Sequence, residues 1–165
     1  MSNVPEVPES FSHLRFRSAT NKDREAVQSL VFGVLAEFDL KPDLQATDAD
    51  LADFEANYIN RGGLFDLIED QEGKLIGTFG LYPLDVNTCE LRKMYLAPGF
   101  RGQGLGKYIL RKAIERAKDL GFNEMVLETS SKLVAAIQRY RQFGFQPTEM
   151  KHVTPRADQS YGMKL

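Results

Sequence analysis

The chain has 165 residues, of which 42% are hydrophobic, so it is long enough for one domain that buries a core without disulfide or metal staples. Its 21 Lys and Arg residues and 23 Asp and Glu residues leave a formal net charge of −2, which gives no overall attraction to nucleic acid or to an anionic membrane. The single cysteine, Cys89, excludes an internal disulfide and favours a reducing compartment.

Residues 1–10 are polar and contain Pro5 and Pro8, without the apolar run of a signal peptide. No stretch of the sequence approaches the roughly 20 apolar residues that a membrane-spanning helix needs. We therefore expect a cytoplasmic protein with a flexible leader over residues 1–10 and a single domain over residues 11–165.

The first half of the domain predicts one strand, two helices and three strands. Leu14–Ser18 alternates as a short strand does, and the polar residues Thr20–Asp23 cap a helical repeat. Thr47–Asp50 are predicted to cap a second helix, which ends at Gly62-Gly63. Short turns then separate three strand-type runs, which predict an antiparallel meander of Leu64–Asp70, Lys74–Leu84 and Thr88–Ala97.

The second half alternates between helix and strand. A clear 3.6-residue apolar stripe begins at Leu105 and ends at Gly121. A strand over Asn123–Thr129 follows, and Ser130-Ser131 cap a further helix that ends before Gly144. Two strands are predicted to close the chain, Phe145–Val153 and Tyr161–Leu165. The resulting order, β-α-α-β-β-β-α-β-α-β-β, indicates a mixed α/β domain.

The most informative motif is the run R-G-Q-G-L-G-K over Arg101–Lys107, which lies between a predicted strand and a predicted helix. Glycines allow a close approach of the backbone to a ligand, and the first turn of a helix offers free N–H groups at the positive end of its dipole. Such a loop is suited to an anion, and a pyrophosphate is the natural ligand. The alternative is a tight turn that only caps the helix.

Two common phosphate motifs do not match this run. A Walker A loop needs a glycine where Arg101 stands and Ser or Thr where Tyr108 stands. The dinucleotide motif G-x-G-x-x-G also fails, because Lys107 occupies the place of its third glycine. What remains is R-x-x-G-x-G.

Residues 89–147 resemble the acetyl-CoA-binding half of the GNAT N-acetyltransferase superfamily. Four features carry the resemblance: the strand end Met94-Tyr95-Leu96, the R-x-x-G-x-G loop, the strand G-F-x-x-x-x-L-E-T from Gly121, and the helix end A-x-x-x-Y-x-x-x-G-F around Tyr140. The resemblance implies the GNAT fold, a mixed and mostly antiparallel twisted sheet of about seven strands flanked by about four helices.

The resemblance also implies acetyl-CoA as co-substrate and no metal. The CoA pyrophosphate would lie on the backbone amides of Arg101–Lys107, with added charge from Arg101 and Lys107. The pantetheine arm would pair with the edge of the preceding strand at Met94, Tyr95 and Leu96. The residues implied for cofactor binding are Met94, Tyr95, Leu96, Arg101, Gly102, Gln103, Gly104, Leu105, Gly106 and Lys107.

Two residues are the candidates for proton transfer. Glu90 lies where some family members carry a catalytic glutamate, and the alternative is a carboxylate that only pairs with Arg92. Tyr140 lies at the family's general-acid position, and the alternative is an ordinary core aromatic. The family's asparagine seven residues before this tyrosine is replaced by Leu133, so its contact with CoA is not carried over.

The acceptor is the least determined part of the prediction. Arg92 and Arg156 could bind a carboxylate. The resemblance also implies that the fourth strand splays from the fifth and leaves a slot for the pantetheine arm, and Glu128 and Thr129 should line this slot. These residues favour a small primary amine, amino-acid-like or otherwise acid-bearing. The alternatives are a protein N-terminal or lysine acetyltransferase and a non-catalytic CoA-binding domain. We expect no nucleic-acid or membrane partner. Because dimers are common in the superfamily, the resemblance is compatible with a homodimer.

Overall fold

The computed structural model describes residues 9–150 and 154–165. Its elements follow the predicted order β-α-α-β-β-β-α-β-α-β-β. The strands are β1 (Arg15–Ser18), β2 (Leu64–Glu69), β3 (Leu75–Pro83), β4 (Thr88–Leu96), β5 (Glu124–Thr129), β6 (Gln146–Pro147) and β7 (Gln159–Lys164), and the helices are α1 (Arg24–Glu37), α2 (Phe54–Asn57), α3 (Leu105–Asp119) and α4 (Val134–Gln142).

The seven strands form one open sheet in the spatial order β1-β2-β3-β4-β5-β7-β6. All neighbours are antiparallel except β4 and β5, so the mixed sheet and the predicted meander of β2, β3 and β4 are confirmed. The parallel pairing covers only Thr88–Glu90 against Glu124–Val126. Past Glu90 the two strands separate, which opens a slot in the middle of the sheet.

Two apolar layers cover the faces of the sheet. On one face α3 buries its stripe, including Ile109 and Ala113, against Phe79 and Cys89. On the other face α1 and the α2 region pack against Phe65 and Leu67 of β2. Each fully buried aliphatic or aromatic side chain stabilises the fold by about 1.5–3 kcal/mol.

Cys89 behaves as a small buried hydrophobic residue, since burial raises the pKa of its thiol to about 12. Within the described ranges, no helix is both long and apolar enough to cross a membrane.

The structure differs from the predicted elements in two places. The second helix is short and flanked by 3-10 turns, and its cap is the Asp53 carboxylate, which accepts the Ala56 N–H at 2.9 Å. Thr47–Asp50 do not cap it. Of the strand predicted over Phe145–Val153, the structure has Gln146–Pro147 as a strand, and one further backbone hydrogen bond to β7 follows, from the Thr148 N–H to the Ser160 carbonyl at 2.9 Å. Residues 151–153 and most of the expected leader lie outside the described residues, so the leader and the domain boundary stay predictions.

Candidate active site

A cavity of about 500 Å³ fills the slot between the separating strands. Its walls come from α1, β4, β5, α4 and the segments that precede α2 and β7. The structure therefore brings together residues that are distant in sequence. The predicted site residues that line the cavity are Glu90, Arg92, Met94, Tyr95, Leu96, Arg101, Glu128, Thr129, Tyr140 and Arg156.

The predicted anion loop lies between β4 and the start of α3. Gly102 and Gly104 have φ values of 77° and 83°, in the left-handed region, and Gly104 is the N-cap of α3. Residues 102–104 of the loop are exposed. The segment from residue 101 to residue 107 carries no acidic side chain, and the first N–H groups of α3 have no partner within the helix. Leu105 is buried in the core, whereas Lys107 is exposed. The residues present therefore fit a diphosphate at this loop.

Replacing Gly104 by Val is expected to raise the Kd for CoA by more than tenfold. The side chain would occupy space in front of the loop and disfavour φ near 83°. Gly73→Val is the matched control, because Gly73 has a φ of 79° and open space around its α-carbon but lies in the β2–β3 turn. Calorimetric titration with CoA checks the prediction. Equal Kd values for the two variants would contradict the assignment of the loop.

A β-bulge shapes the cavity wall in β4. Lys93 and Met94 together face the single residue Phe79 of β3, and Lys93 has a φ of 53°. The bulge turns the Lys93 side chain toward the segment before α2, on the same face as Arg92. Bulges of this kind aim side chains differently from the regular alternation of a strand. The charged side chains of Arg92 and Lys93, which are consecutive in β4, therefore reach the same side of the cavity.

Arg101 does not point its guanidinium group at the anion loop. Its Nε and Nη2 donate to the Leu96 carbonyl at 3.1 and 2.8 Å, and its Nη1 lies 2.6 Å from the Glu37 carboxylate of α1. The side chain thus ties the end of β4 to the end of α1. The N–H and C=O of a strand residue point to the same side of the strand. Because the next N–H, that of Ala97, donates to Ile76 of β3, both the N–H and the carbonyl of Leu96 point away from β3, toward the slot. The sequence predicts that the Arg101 charge contacts the pyrophosphate. In the structure this charge is paired with Glu37 instead.

Glu90 is buried beside Arg92, and the two side chains form an ion pair. The Arg92 guanidinium also stacks on the Tyr82 ring, with Cζ 3.8 Å from the ring centroid. The pairing that the sequence offers as the alternative to a catalytic role is therefore present. Glu90 lines the cavity at the same time, so both interpretations of this residue agree with its position.

Tyr140 of α4 is 7% exposed and lines the cavity from the side opposite α1. Its ring meets that of Phe145 edge-on, with centroids 5.7 Å apart. Burial raises the pKa of Tyr140 to about 12, so the phenol holds its proton at neutral pH. Tyr95 lines the same cavity, and burial raises its pKa to about 12 as well. Both readings of Tyr140 agree with its position, because it is a core aromatic whose ring reaches the slot.

Lys93 and Arg156 line one wall of the cavity, here called the far wall, and belong to a largely buried ionic cluster with Asp48 and Asp50. Arg156 donates to both oxygens of Asp48 at 2.6 and 2.7 Å. Lys93 Nζ lies 3.3 Å from Asp48 and 3.1 Å from Asp50. Arg156, predicted to meet the acceptor, is thus already bound to a carboxylate of the chain, and Asp48 is fully buried.

The pKa of Asp48 reflects this cluster. Burial by itself raises it, but the hydrogen bonds from Arg156 and from the Asp43 N–H, together with the charge of Lys93, bring it below the usual value. Sequence reasoning missed the cluster, since it assigned Asp48 and Asp50 to a helix cap and did not single out Lys93. The available signal was the pair Arg92-Lys93, two adjacent charges in the middle of a strand of the predicted sheet.

Leu133, which occupies the position of the family's asparagine, lies just before α4 and follows the polar residues Ser130, Ser131 and Lys132. Leu133 lines the cavity with an apolar side chain. Ser131 is bound to Asp158 through its N–H and hydroxyl at 2.7 and 2.6 Å, and Lys132 Nζ lies 3.3 Å from the Asp39 carbonyl. Among Ser130, Ser131 and Lys132, the three residues before Leu133, only Ser130 lines the cavity.

A strand pair that separates beside a glycine-rich helix start, with a buried phenol lining the slot, is the arrangement that the resemblance to GNAT acetyltransferases implies. The sequence profile described as Acetyltransferase (GNAT) family matches residues 32–145, and the chain belongs to that family. It is therefore an acetyltransferase that uses acetyl-CoA and transfers the acetyl group to an amine.

Relatives and solved structures agree with this assignment. The chain is 36% identical to the uncharacterized N-acetyltransferase YjgM of Escherichia coli K12, over 79% of this chain and 80% of the relative. It is 30% identical to the uncharacterized N-acetyltransferase C1271.07c of Schizosaccharomyces pombe, over 81% and 83%. Among solved structures, a GNAT-family acetyltransferase of Staphylococcus aureus Mu50 superposes with a TM-score of 0.85 at 26% identity, covering 92% of this chain and 98% of that one.

Proposed function

We propose that this acetyltransferase acetylates the primary amine of a small molecule. The observation that supports a small acceptor is the closure of the cavity at its far wall. Arg156 joins Asp48, and it also donates to the Lys41 carbonyl at 3.1 Å. The segment before α2 and the segment before β7 therefore meet, whereas an acceptor that is part of a protein needs an open groove there.

Bound acetyl-CoA supplies the thioester that the amine attacks. Glu90 accepts the proton that the amine loses, because most primary amines are protonated near pH 7 and must be deprotonated to act as nucleophiles. Tyr140 donates a proton to the sulfur of the leaving CoA. The main chain of Met94, Tyr95 and Leu96, where β4 no longer pairs with β5, orients the pantetheine arm and the thioester carbonyl.

The sequence also predicts, more specifically, that the acceptor amine carries an acid group. Its carboxylate would meet Arg92 and Arg156, and each of these guanidinium groups already pairs with a carboxylate of the chain. Binding would then have to exchange one of those pairs. An amine without an acid group requires no such exchange. A structural neighbour at 16% identity and a TM-score of 0.69 is a spermidine N-acetyltransferase of Vibrio cholerae in complex with CoA and spermine, so polyamines belong in the test.

The test measures CoA thiol release with four groups of acceptors: amino acids, polyamines and other small amines, peptides with a free N-terminus, and peptides with an internal lysine. We expect the highest kcat/KM within the two small-molecule groups. Faster turnover of either peptide group would overturn the small acceptor. Tight CoA binding without release on any acceptor would favour a non-catalytic domain.

Replacing Glu90 by Gln is expected to lower kcat/KM at pH 7 by about 10², at the low end of the range for general bases. Without the base, the rate should follow the free-amine fraction and rise with pH toward the amine pKa near 10. Initial rates from pH 6 to pH 10 check this. Glutamine can still accept a hydrogen bond from Arg92, so a variant within threefold of the parent at every pH would leave Glu90 with a structural role only.

A further inference from the structure

The side chain of Arg139 crosses from α4 to the first turn of α3. A Cβ placed on Gly106 would lie 2.5 Å from its Cζ, 2.7 Å from Nη2 and 2.9 Å from Nε. The guanidinium group therefore lies against the bare α-carbon of Gly106, the second residue of α3. Only a glycine leaves room for this approach without displacing the arginine.

Arg139 also differs from the other arginines of the cavity wall in its charge balance. Arg92, Arg101 and Arg156 each pair with a carboxylate. Across residues 9–150 and 154–165, no carboxylate forms an ion pair with Arg139, although the residue lines the cavity. A cation beside the N-terminus of a helix is opposed by the positive end of the helix dipole. An anion that binds both groups removes that conflict.

We infer that Arg139 supplies the side-chain cation that binds the diphosphate of acetyl-CoA at the start of α3. The inference rests on the proposed placement of the diphosphate at the loop 101–107. The first N–H groups of α3 contact the phosphate oxygens from one side, and the planar fork of the guanidinium contacts them from another. Arg101 then has a different task, which is to hold the end of β4 against α1.

The glycine at position 106 has a specific role in this arrangement. It lets the guanidinium approach the helix start closely enough to share an anion with the N–H groups. An alanine there is compatible with the helix, and its methyl group would meet only the far end of a flexible side chain. Gly106→Ala is therefore expected to fold and to move the Arg139 guanidinium away from the helix start.

The test measures Kd by calorimetry for CoA and for dephospho-CoA, which keeps the diphosphate and lacks the 3′-phosphate. Arg139→Gln is expected to raise both Kd values by the same factor, about tenfold. Arg141→Gln, two residues along the same helix and packed on Tyr161, is the control and should leave both unchanged. An effect confined to CoA would place Arg139 on the 3′-phosphate and overturn the inference.

The double variant Gly106→Ala/Arg139→Gln tests the contact itself. If the glycine acts through the arginine, the double variant binds CoA no more weakly than the weaker-binding single variant. Fully additive losses would overturn the inference. Failure of the cofactor site itself has a different result, because the parent protein would bind neither ligand. A wrong acceptor class would change which amine supports thiol release and would leave both Kd values as they are. Unchanged affinity in Arg139→Gln, together with lost affinity in Gly104→Val, would reject Arg139 and leave the loop assignment standing.

Discussion

Replacing Tyr140 by Phe is expected to lower kcat by about 10²–10⁴, the usual range for a general acid or base. The change removes only the phenolic proton donor, and the ring keeps its edge-on contact with Phe145. Acetyl-CoA should still bind with a Kd within about twofold of the parent value. Single-turnover rates and calorimetric titration separate the two effects.

The matched control for this variant is Tyr108→Phe. Tyr108 is 5% exposed, as deeply buried as Tyr140, but it stacks on Phe11 away from the cavity. The Tyr108→Phe variant should have the same kcat as the parent. A Tyr140→Phe variant that keeps full activity would assign Tyr140 to the core alone.

The pH profile gives a second check on Tyr140. The phenol is protonated below its pKa of about 12 and loses its proton only above it. Deprotonation of Tyr140 therefore contributes no loss of activity up to about pH 11. A decline with an apparent pKa below 9 that disappears in Tyr140→Phe would contradict this assignment of the proton.

Local patterns explain why much of the fold and half of the site can be predicted from the sequence. The loop at Arg101–Lys107 and the stripe of α3 are each encoded within one short segment, and Tyr140 follows from the end of one helix. The short pairing of β4 with β5 agrees with the expected slot. These features depend on neighbours along the chain, which the sequence displays directly.

The other half of the site depends on contacts between distant segments. Arg156 and Asp48 are 108 residues apart, and their pairing exists only because the segments before α2 and β7 meet. Arg101 shows the same limit, since Glu37, 64 residues away, takes the guanidinium that the motif assigns to phosphate. The left-handed Lys93 requires the register shift between β3 and β4. No pattern within one segment contains these pairings.

Replacing Asp48 by Asn is expected to lower the free energy of unfolding by about 3–5 kcal/mol at pH 7, because it leaves the buried Lys93 and the largely buried Arg156 with one carboxylate fewer. A domain of ordinary stability has about 5–15 kcal/mol in total. Urea unfolding followed by circular dichroism measures the difference. Glu37→Gln is the control, since its ion pair with Arg101 is about one-third exposed and such pairs contribute about 0–1 kcal/mol.

The pH dependence of this difference identifies the Asp48 charge as its cause. The pKa of Asp48 is lowered from 3.8 in the folded protein, so its contribution is complete above the unfolded pKa and is lost as the pH falls through the lower, folded value. Asparagine resembles the protonated carboxyl group. The gap between parent and Asp48→Asn should therefore be constant from pH 8 to about pH 5 and should narrow below pH 4. A gap that keeps its full size in acid would show that packing, and not the ion pairs with Lys93 and Arg156, holds the far wall of the cavity together.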